Sequence, residues 1–523
     1  MAGDISFSGI ASGLDTDLLI QSLLATKQQR VTNVQSSIDE LSDQKNALSD
    51  LKRVLGVLNT TAADLGSEIL GNKTAEASDS KYFTATADSD ASLASYDIEI
   101  SNLAQKSVAT IGNTVASTSE DIGAGTLTLN LAGGDSYSVN LTGSNTILDL
   151  RDALNDQYKE ELNASVIETS PGQYQLLVST DNSGADQNIL GTSSISGFNS
   201  PFVDGGVANT QTGEDANFTL DGIAITRTSN EVTDLIEGVT LNLKAETTGV
   251  ETLTIDKNQE EIVAGLQEFV GAYNDALSLI EDVSGSEGAL VGDSSLRSLR
   301  SQLQSLISGG VSNVDTLNQR DDGTTGYTAL SQIGFKTDRL TGKLSVDTEK
   351  LNEALDENFA EVENLFKGGY TSTNSNVQFT ANTGIGFSGQ VLLDTQNDTA
   401  TIDGQVYNLN RNGDTLTFAE GTTYDGMVFY STVADTNVVL EITQGLGSSF
   451  EERTDEFVSF SGILNDRTQA LDDQEDRLNE QLDNFRSIVE NERQRLTIVF
   501  AKAEQSMSEL QSMQNSLAAL SIQ

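Results

Sequence analysis

Cysteine, histidine and tryptophan are absent from the 523 residues, and proline occurs only twice. Without cysteine and histidine the chain cannot form a Ser-His-Asp or Cys-His catalytic group, nor the usual zinc site. Without disulfides it can also be held extended and threaded through a narrow passage. We therefore expect a protein that is not an enzyme, with no catalytic residues, no metal and no cofactor.

Basic residues are scarce as well. Lys and Arg number 29 against 78 Asp and Glu, which gives a formal charge of −49. Such a surface repels nucleic acid and anionic lipid, so neither is an expected partner. No stretch approaches the roughly 20 continuous apolar residues of a membrane helix, so no membrane insertion is expected. Residues 1–20 lack a basic leader, and Asp15 and Asp17 interrupt their apolar residues, which argues against a signal peptide.

Apolar residues recur at coiled-coil spacing near both ends of the chain. In the N-terminal part the steps are three, four or their sum, and the apolar residues are Val31, Val34, Ile38, Leu41, Leu48, Leu55 and Leu58. Lys45 and Lys52 stand at two positions of this repeat where an apolar residue would be expected. The same rhythm returns in Leu471, Leu478, Leu482, Phe485, Val489, Leu496, Val499, Ala503, Leu510, Met513, Leu517 and Leu520. Each predicted helix needs a partner, either the other terminus in a helical hairpin or another subunit.

The interior alternates between β and helical patterns. Residues 75–256 and 377–442 show β-type alternation with turn residues, whereas 258–280, 296–307 and 351–366 have helical periodicity. Thr146 is a predicted N-cap for a helix from Ile147. We predict an α+β multidomain fold in which a helical coiled-coil or bundle leg, formed by both termini, carries inserted antiparallel β-rich head domains.

The predicted domain boundaries follow from these changes of pattern. Terminal coiled-coil segments, rich in Gln, Ser and Asn and loose in the monomer, cover 1–45 and 485–523. The remaining parts are a helical leg domain (46–80, 258–370 and 445–484), a β-rich head domain (81–115 and 215–257), an inserted β-rich head domain with one helix (116–214) and a β-rich insertion (371–444).

Three local motifs are explained by local structure and not by catalysis or metal binding. Gly292-Asp-Ser-Ser-Leu296 is similar to a serine-esterase block, but a serine nucleophile needs a histidine base, so we predict that Asp293 or Ser294 caps the following helix. The acidic segments 181–186 and 321–323 lack the spacing of a calcium-binding EF-hand loop, and we expect solvated turns there.

Several segments, in order along the chain, resemble the flagellar hook-associated protein 2 family of filament caps. They are Gly9-Ile-Ala-Ser-Gly-Leu-Asp-Thr-Asp17, Thr146–Asn155, Phe218–Asn230 with Gly238-Val-Thr-Leu241, Phe269-Val-Gly-Ala-Tyr-Asn274, Gly292–Arg297 and Gly334–Asp347. The chain departs from the family pattern at Gln444, where members often carry Arg, so no basic contact is expected there.

The resemblance implies a structural cap at the distal end of the bacterial flagellar filament. It implies a homo-oligomeric ring or plate that promotes folding and insertion of exported flagellin, and export by the flagellar type III pathway to an extracellular position at the tip without a cleaved signal peptide. Implied partners are other copies of the chain, flagellin, hook-filament junction proteins and an export chaperone. Alternatives are a tip adhesin that binds host mucin, another glycan or a surface receptor, and a hook-filament junction protein or flagellin-like subunit.

Self-association and filament docking are predicted for the apolar residues of the outer helices. These residues are Leu14, Leu18, Val31, Val34, Ile38, Leu41, Leu48, Leu496, Val499, Ala503, Leu510, Met513, Leu517 and Leu520. Their neighbours are Gln and Ser with sparse charge, especially over 506–514, and such surfaces can repack against changing partners.

Overall fold

The computed structural model describes residues 15–190, 196–199, 206–382 and 387–520, with the backbone alone for 196, 197, 381, 382 and 518–520. The chain divides into two compact units: residues 1–70 and 263–523 form the first, and residues 71–262, inserted in the chain of the first, form the second.

Most helices of the described residues belong to the first unit. They are α1 (Thr16–Ser67), α2 (Ile147–Tyr158, in the second unit), α3 (Gln259–Ser284), α4 (Ser294–Ser308), α5 (Val314–Leu317), α6 (Thr348–Lys367), α7 (Leu446–Val458) and α8 (Ile463–Leu520), with 3-10 turns at Ile69–Gly71, Ala185–Gln187 and Leu330–Ile333. The helical stretches predicted within α2, α3, α4 and α6 are confirmed.

Side-chain caps explain where several helices begin. Thr146 and Asp149 form a reciprocal capping box at the start of α2, so the predicted cap is confirmed. The Asp293 carboxylate accepts a hydrogen bond from the backbone N–H of Ser295 (2.8 Å) at the start of α4. This cap satisfies a backbone donor that would otherwise lack a partner, which costs about 1 kcal/mol when lost.

The second unit contains two β-rich cores. Its strands are β1 (Lys73–Ala77), β2 (Phe83–Ala87), β3 (Ala94–Asn102), β4 (Lys106–Val115), β5 (Gly123–Leu131), β6 (Ser136–Leu141), β7 (Leu162–Ser170), β8 (Gln173–Ser183), β9 (Ile189–Leu190), β10 (Ser196–Phe198), β11 (Val207–Gln211), β12 (Ala216–Leu220), β13 (Ile223–Arg227), β14 (Glu231–Ile236), β15 (Val239–Leu243) and β16 (Glu251–Lys257). The strand pairs among the described residues of this unit are antiparallel, as between β1 and β16.

One core lies between the sheet β1-β16-β3-β12-β13 and the sheet β14-β15-β2, around Phe83, Ile98 and Leu253. The other lies among the sheets β11-β4-β8-β7 and β10-β5-β6, strand β9 and helix α2, around Leu127, Leu150 and Leu176. Strand β1 belongs to the second unit although the predicted leg domain extends to residue 80, and β4 lies in the second sheet pair although the predicted insert begins at 116.

The remaining strands belong to the first unit. They are the hairpin β17 (Phe335–Thr337) and β18 (Leu344–Val346), followed by β19 (Gly368–Ser372), β20 (Val377–Asn382), β21 (Gly389–Asp394), β22 (Thr399–Ile402), β23 (Gln405–Asn408), β24 (Asn410–Asn412), β25 (Thr415–Thr417), β26 (Met427–Ser431) and β27 (Val438–Gln444). The sheets β19-β27-β21-β22-β23 and β20-β26-β25-β24 enclose a core that includes Val391, Phe429 and Leu440.

The helical base of the first unit packs α1, α3, α4, α6, α7 and the start of α8 around fully buried Leu51, Leu55, Leu58 and Phe269. Gly368 joins α6 directly to β19 with a positive φ of 74°, and a Cβ there would collide with the carbonyl oxygen of Thr443. Glycine is therefore required at the point where the β-rich insertion leaves the helical base.

Candidate self-association surface

The two terminal helices form an antiparallel pair. As the position on α1 moves from Lys52 back to Lys27, its partner on α8 moves from Asn465 to Glu492. Arg486 donates to Gln35 (3.3 Å) between these ends. The hairpin alternative considered for the two stripes is therefore present in the chain. Helix α7 packs on the inner end of α1, where Asn59 donates to Glu451 and Thr454, and α8 packs on the remainder.

Lys45 occupies one of the missing apolar positions of the α1 stripe. Its Nζ lies 2.5 Å from Asp472 Oδ1 and 2.8 Å from Glu475 Oε2 on α8. The hydrogen bond to Asp472, followed by that to Glu475, raises the pKa of Lys45 above its usual range. The second missing position, Lys52, donates to the neutral side chain of Asn465 (2.7 Å). These polar contacts interrupt an otherwise apolar seam, and a polar group at such a position fixes register.

We expect Lys45→Met to loosen the register of the hairpin with little change in its melting temperature, because the ion pairs of Lys45 are partly exposed. The chain has no native cysteine, so register is measurable by disulfide formation. Ile20→Cys with Phe500→Cys tests the native register, since both residues line one cleft. Ile20→Cys with Met507→Cys tests a shift of one heptad.

Lys45→Met should raise the yield of the shifted disulfide, whereas Lys52→Met, which loses only a neutral partner, should change it less. Identical yields of the shifted disulfide in the parent chain and in Lys45→Met would contradict a role for Lys45 in register.

A further set of ion pairs lies near the outer end of the hairpin. Lys27 Nζ lies 3.4 Å from Glu492 Oε1, and Glu492 also accepts from Arg495 (2.8 Å). Arg495, followed by Lys27, lowers the pKa of Glu492 to about 2. Because the pKa is depressed in the folded chain, this stabilisation is present above pH 4.5 and is lost as pH falls towards 2. Both partners are exposed enough that the contribution is small.

The seam leaves the predicted heptad frame near residue 499. Half-buried positions on α8 follow at Val489, Glu492 and Leu496, and then at Phe500 and Glu504 in steps of four. Val499 and Ala503 are consequently exposed. A straight α-helix drifts relative to a seven-residue repeat, so a step of four moves the buried face sideways.

An apolar stripe therefore remains uncovered beside the seam. We call the following residues the outer stripe; at 100° per residue they lie on one side of α8: Ile488, Val499, Ala503, Leu510, Met513 and Leu517. Leu510 is 60% and Leu517 is 67% exposed. Ile488 was not predicted, although its spacing of 11 from Val499, which is itself 11 from Leu510, could have identified it.

The predicted surface residues thus divide into three groups. Ile38, Leu41 and Leu48 are buried inside the hairpin, so a second chain could reach them only if the hairpin opened. Val31, Val34 and Leu496 are half-buried in the same seam. The exposed group consists of Leu18, Val499, Ala503, Leu510, Met513 and Leu517, while Leu14 and the side chain of Leu520 lie outside the described part of the chain.

Other candidate sites have structural roles. In the segment 321–323, Asp322 accepts hydrogen bonds from the N–H and hydroxyl of Thr324 (2.8 and 2.6 Å) and so closes a turn. Asp293 caps α4 and pairs with Arg467 (2.8 Å). Across the described ranges, no group of three or more acidic side chains is arranged to hold a metal ion. In those ranges no helix combines the length and apolarity needed to cross a bilayer.

The two terminal helices pair with each other, β-rich domains are inserted between them in the chain, and an apolar stripe on α8 is uncovered. These are the features of a structural protein that assembles with other molecules. Models of the flagellar hook-associated protein 2 N-terminus and C-terminus match residues 12–107 and 213–419. The chain belongs to the flagellar hook-associated protein 2 family: it is a flagellar cap protein, extracellular at the flagellum tip, and not an enzyme.

Relatives extend the similarity over most of the chain. It is 29% identical over 409 residues to the A-type flagellar hook-associated protein 2 of Pseudomonas aeruginosa, covering 70% of this chain and 81% of that protein. It is 27% identical over 388 residues to flagellar hook-associated protein 2 of Escherichia coli K12, covering 70% and 80%. The fold is similar to domains D1, D2 and D3 of the flagellar cap protein FliD from Escherichia coli, with a TM-score of 0.55 at 23% identity, covering 82% of this chain and 99% of that one.

Proposed function

We propose that this chain assembles into a homo-oligomeric ring or plate on the distal end of the flagellar filament, where it promotes folding and insertion of exported flagellin. The outer stripe carries this proposal. It is apolar, it is not used by the hairpin, and the hairpin connects it to the helical base.

The charge distribution supports contact through the same segment. Residues 485–523 contain four basic side chains (Arg486, Arg493, Arg495 and Lys502) and four acidic ones (Glu490, Glu492, Glu504 and Glu509), whereas the whole chain carries −49. Like-charge repulsion is therefore small where the outer stripe would dock. Apolar helices at the filament end, supplied by flagellin or hook-filament junction proteins, are the partners that fit such a stripe.

The mechanism needs no covalent step. The outer helices bind successive, non-equivalent positions at the filament end, and the difference in affinity among these positions determines where the next flagellin enters. Before assembly the same stripe is the natural site for an export chaperone during type III export, because an uncovered apolar helix face favours self-association in the cytoplasm.

Electron microscopy of a deletion strain tests the function. Cells without this chain should carry hooks without filaments and release flagellin into the medium, and the intact chain supplied from a plasmid should restore filaments. The mass of the purified assembly then gives the number of subunits. Filaments of normal length in the deletion strain would refute the proposed cap.

A further inference from the structure

The hairpin of β17 and β18 has a rigid tip. The Asp338 carboxylate accepts hydrogen bonds from the backbone N–H groups of Leu340 (3.0 Å) and Thr341 (2.8 Å) and from the hydroxyl of Thr341 (2.8 Å). These contacts, led by Thr341, hold the pKa of Asp338 below its usual range. The backbone N–H of Gly342 closes the turn on the Asp338 carbonyl (2.8 Å). The tip therefore keeps one conformation at neutral pH.

The same hairpin is fastened to the helical base. Asn274 of α3 donates to the Leu344 carbonyl (2.8 Å) and accepts from the Leu344 N–H (2.7 Å). The hydroxyl of buried Tyr273 donates to the Gly342 carbonyl (3.3 Å), and Arg300 of α4 donates to the Thr341 carbonyl (3.3 Å). A fastened loop loses little conformational entropy when it binds a partner.

The side chains exposed at this tip are apolar and basic, in contrast to the acidic chain as a whole. Leu340 is 93% exposed, and the side chains on either side of it, Arg339 and Lys343, are exposed as well. Over the described ranges neither of these two cations forms an ion pair. In a chain of charge −49, residues 336–350 hold more basic than acidic side chains: Lys336, Arg339, Lys343 and Lys350 against Asp338, Asp347 and Glu349.

We propose that the tip formed by Arg339, Leu340 and Lys343 docks onto an acidic surface of a second copy of this chain. This inference rests on the proposed homo-oligomer and names one of its contacts. The tip is an apolar knob between two unpaired cations, and a complementary site needs an apolar dimple rimmed by carboxylates.

Charge complementarity selects a second copy as the partner. Residues 160–190 and 206–226 contain no Lys or Arg and eight acidic residues, so each copy carries an extended acidic region as well as one basic tip. A contact between two different surfaces of identical chains is heterologous, and its repetition about an axis closes a ring. The tip offsets locally the repulsion that the remaining charge imposes on the assembly.

The test uses the full-length chain. Arg339→Glu with Leu340→Asp should raise the dissociation constant of the assembly at least about tenfold in sedimentation experiments, because an attractive contact becomes repulsive. Val406→Asp with Arg477→Glu makes the same change in charge at exposed positions elsewhere and should leave it unchanged. Both variants should keep the parent melting temperature, since the altered side chains are exposed.

A cross-link identifies the surface that the tip touches. Leu340→Cys is the only cysteine in its chain and can carry a benzophenone photo-cross-linker. In a mixture of 15N-labelled and unlabelled chains, mixed-isotope cross-linked peptides should appear, with the acceptor peptide acidic.

Cross-links confined to one chain, or an assembly unaffected by Arg339→Glu with Leu340→Asp, would overturn the inference while leaving the proposed cap intact. A parent chain that stays monomeric at high concentration would overturn both.

Discussion

Replacing Leu510, Met513 and Leu517 of the outer stripe by Lys should abolish filament elongation while leaving the isolated chain as stable as the parent. These side chains are 60%, 55% and 67% exposed, so the folded monomer loses little apolar burial. If each is buried against the filament, loss of all three costs about 5 kcal/mol of docking free energy, which corresponds to more than a thousandfold in affinity.

The measurement is complementation of a deletion strain, with filaments counted by electron microscopy and secreted flagellin measured in the medium. Ser508→Lys with Ser512→Lys and Asn515→Lys adds the same charge to the opposite side of α8 and is the matched control. Normal filaments with the stripe variant, or equal loss with the control, would show that the outer stripe is not the docking surface.

The stripe also shows what a heptad pattern can predict. The frame from Leu471 to Leu496 follows the seam of the hairpin, because three- and four-residue steps alternate there. Beyond Leu496 the same frame points to Val499 and Ala503, yet the hairpin uses Phe500. A single helix does not contain the register of its partner, so the change of buried face becomes visible only when α1 and α8 are paired.

Caps and elements were predictable where the determining contact is local. Thr146 and Asp293 each bond to a backbone group within three residues. The sequence identifies Thr146 and limits the second cap to Asp293 or Ser294. Strand partners were not predictable in this way. Strand β4 follows β3 in the chain but pairs with β8 and β11, so the insert begins before residue 116. Alternation of apolar residues reports which face of a strand is buried and carries no information about its neighbour.

Which apolar residues are exposed is a second feature that could not be predicted from the sequence. Leu340 lies in the segment Gly334–Asp347, which resembles the family pattern. A leucine there is ordinarily expected in a core. The Asp338 turn instead places Leu340 outward while Leu344, four residues on, is buried. The outer stripe and the hairpin tip are thus separate exposed apolar surfaces, and we propose the first for docking on the filament and the second for contact with a neighbouring copy.

Phe450→Ala should destabilise the helical base by about 3–5 kcal/mol, the usual cost of removing a fully buried aromatic side chain. Phe450 on α7 packs edge-on against Phe269 (ring centroids 5.1 Å apart) and Tyr273 (5.9 Å) of α3. Helix α7 packs against α1 and the start of α8, so the cavity weakens the part of the base from which both terminal helices leave.

Phe460 offers a matched control because it follows α7 in the chain and is 98% exposed. In calorimetry of the full chain, Phe450→Ala should lower the melting temperature of one transition by about 10 °C. Phe460→Ala should leave every melting temperature unchanged. Because the chain holds several cores, the remaining transitions should stay at their parent temperatures. A uniform shift of all transitions would instead mean that the units unfold together, and no shift would place Phe450 outside the core of the base.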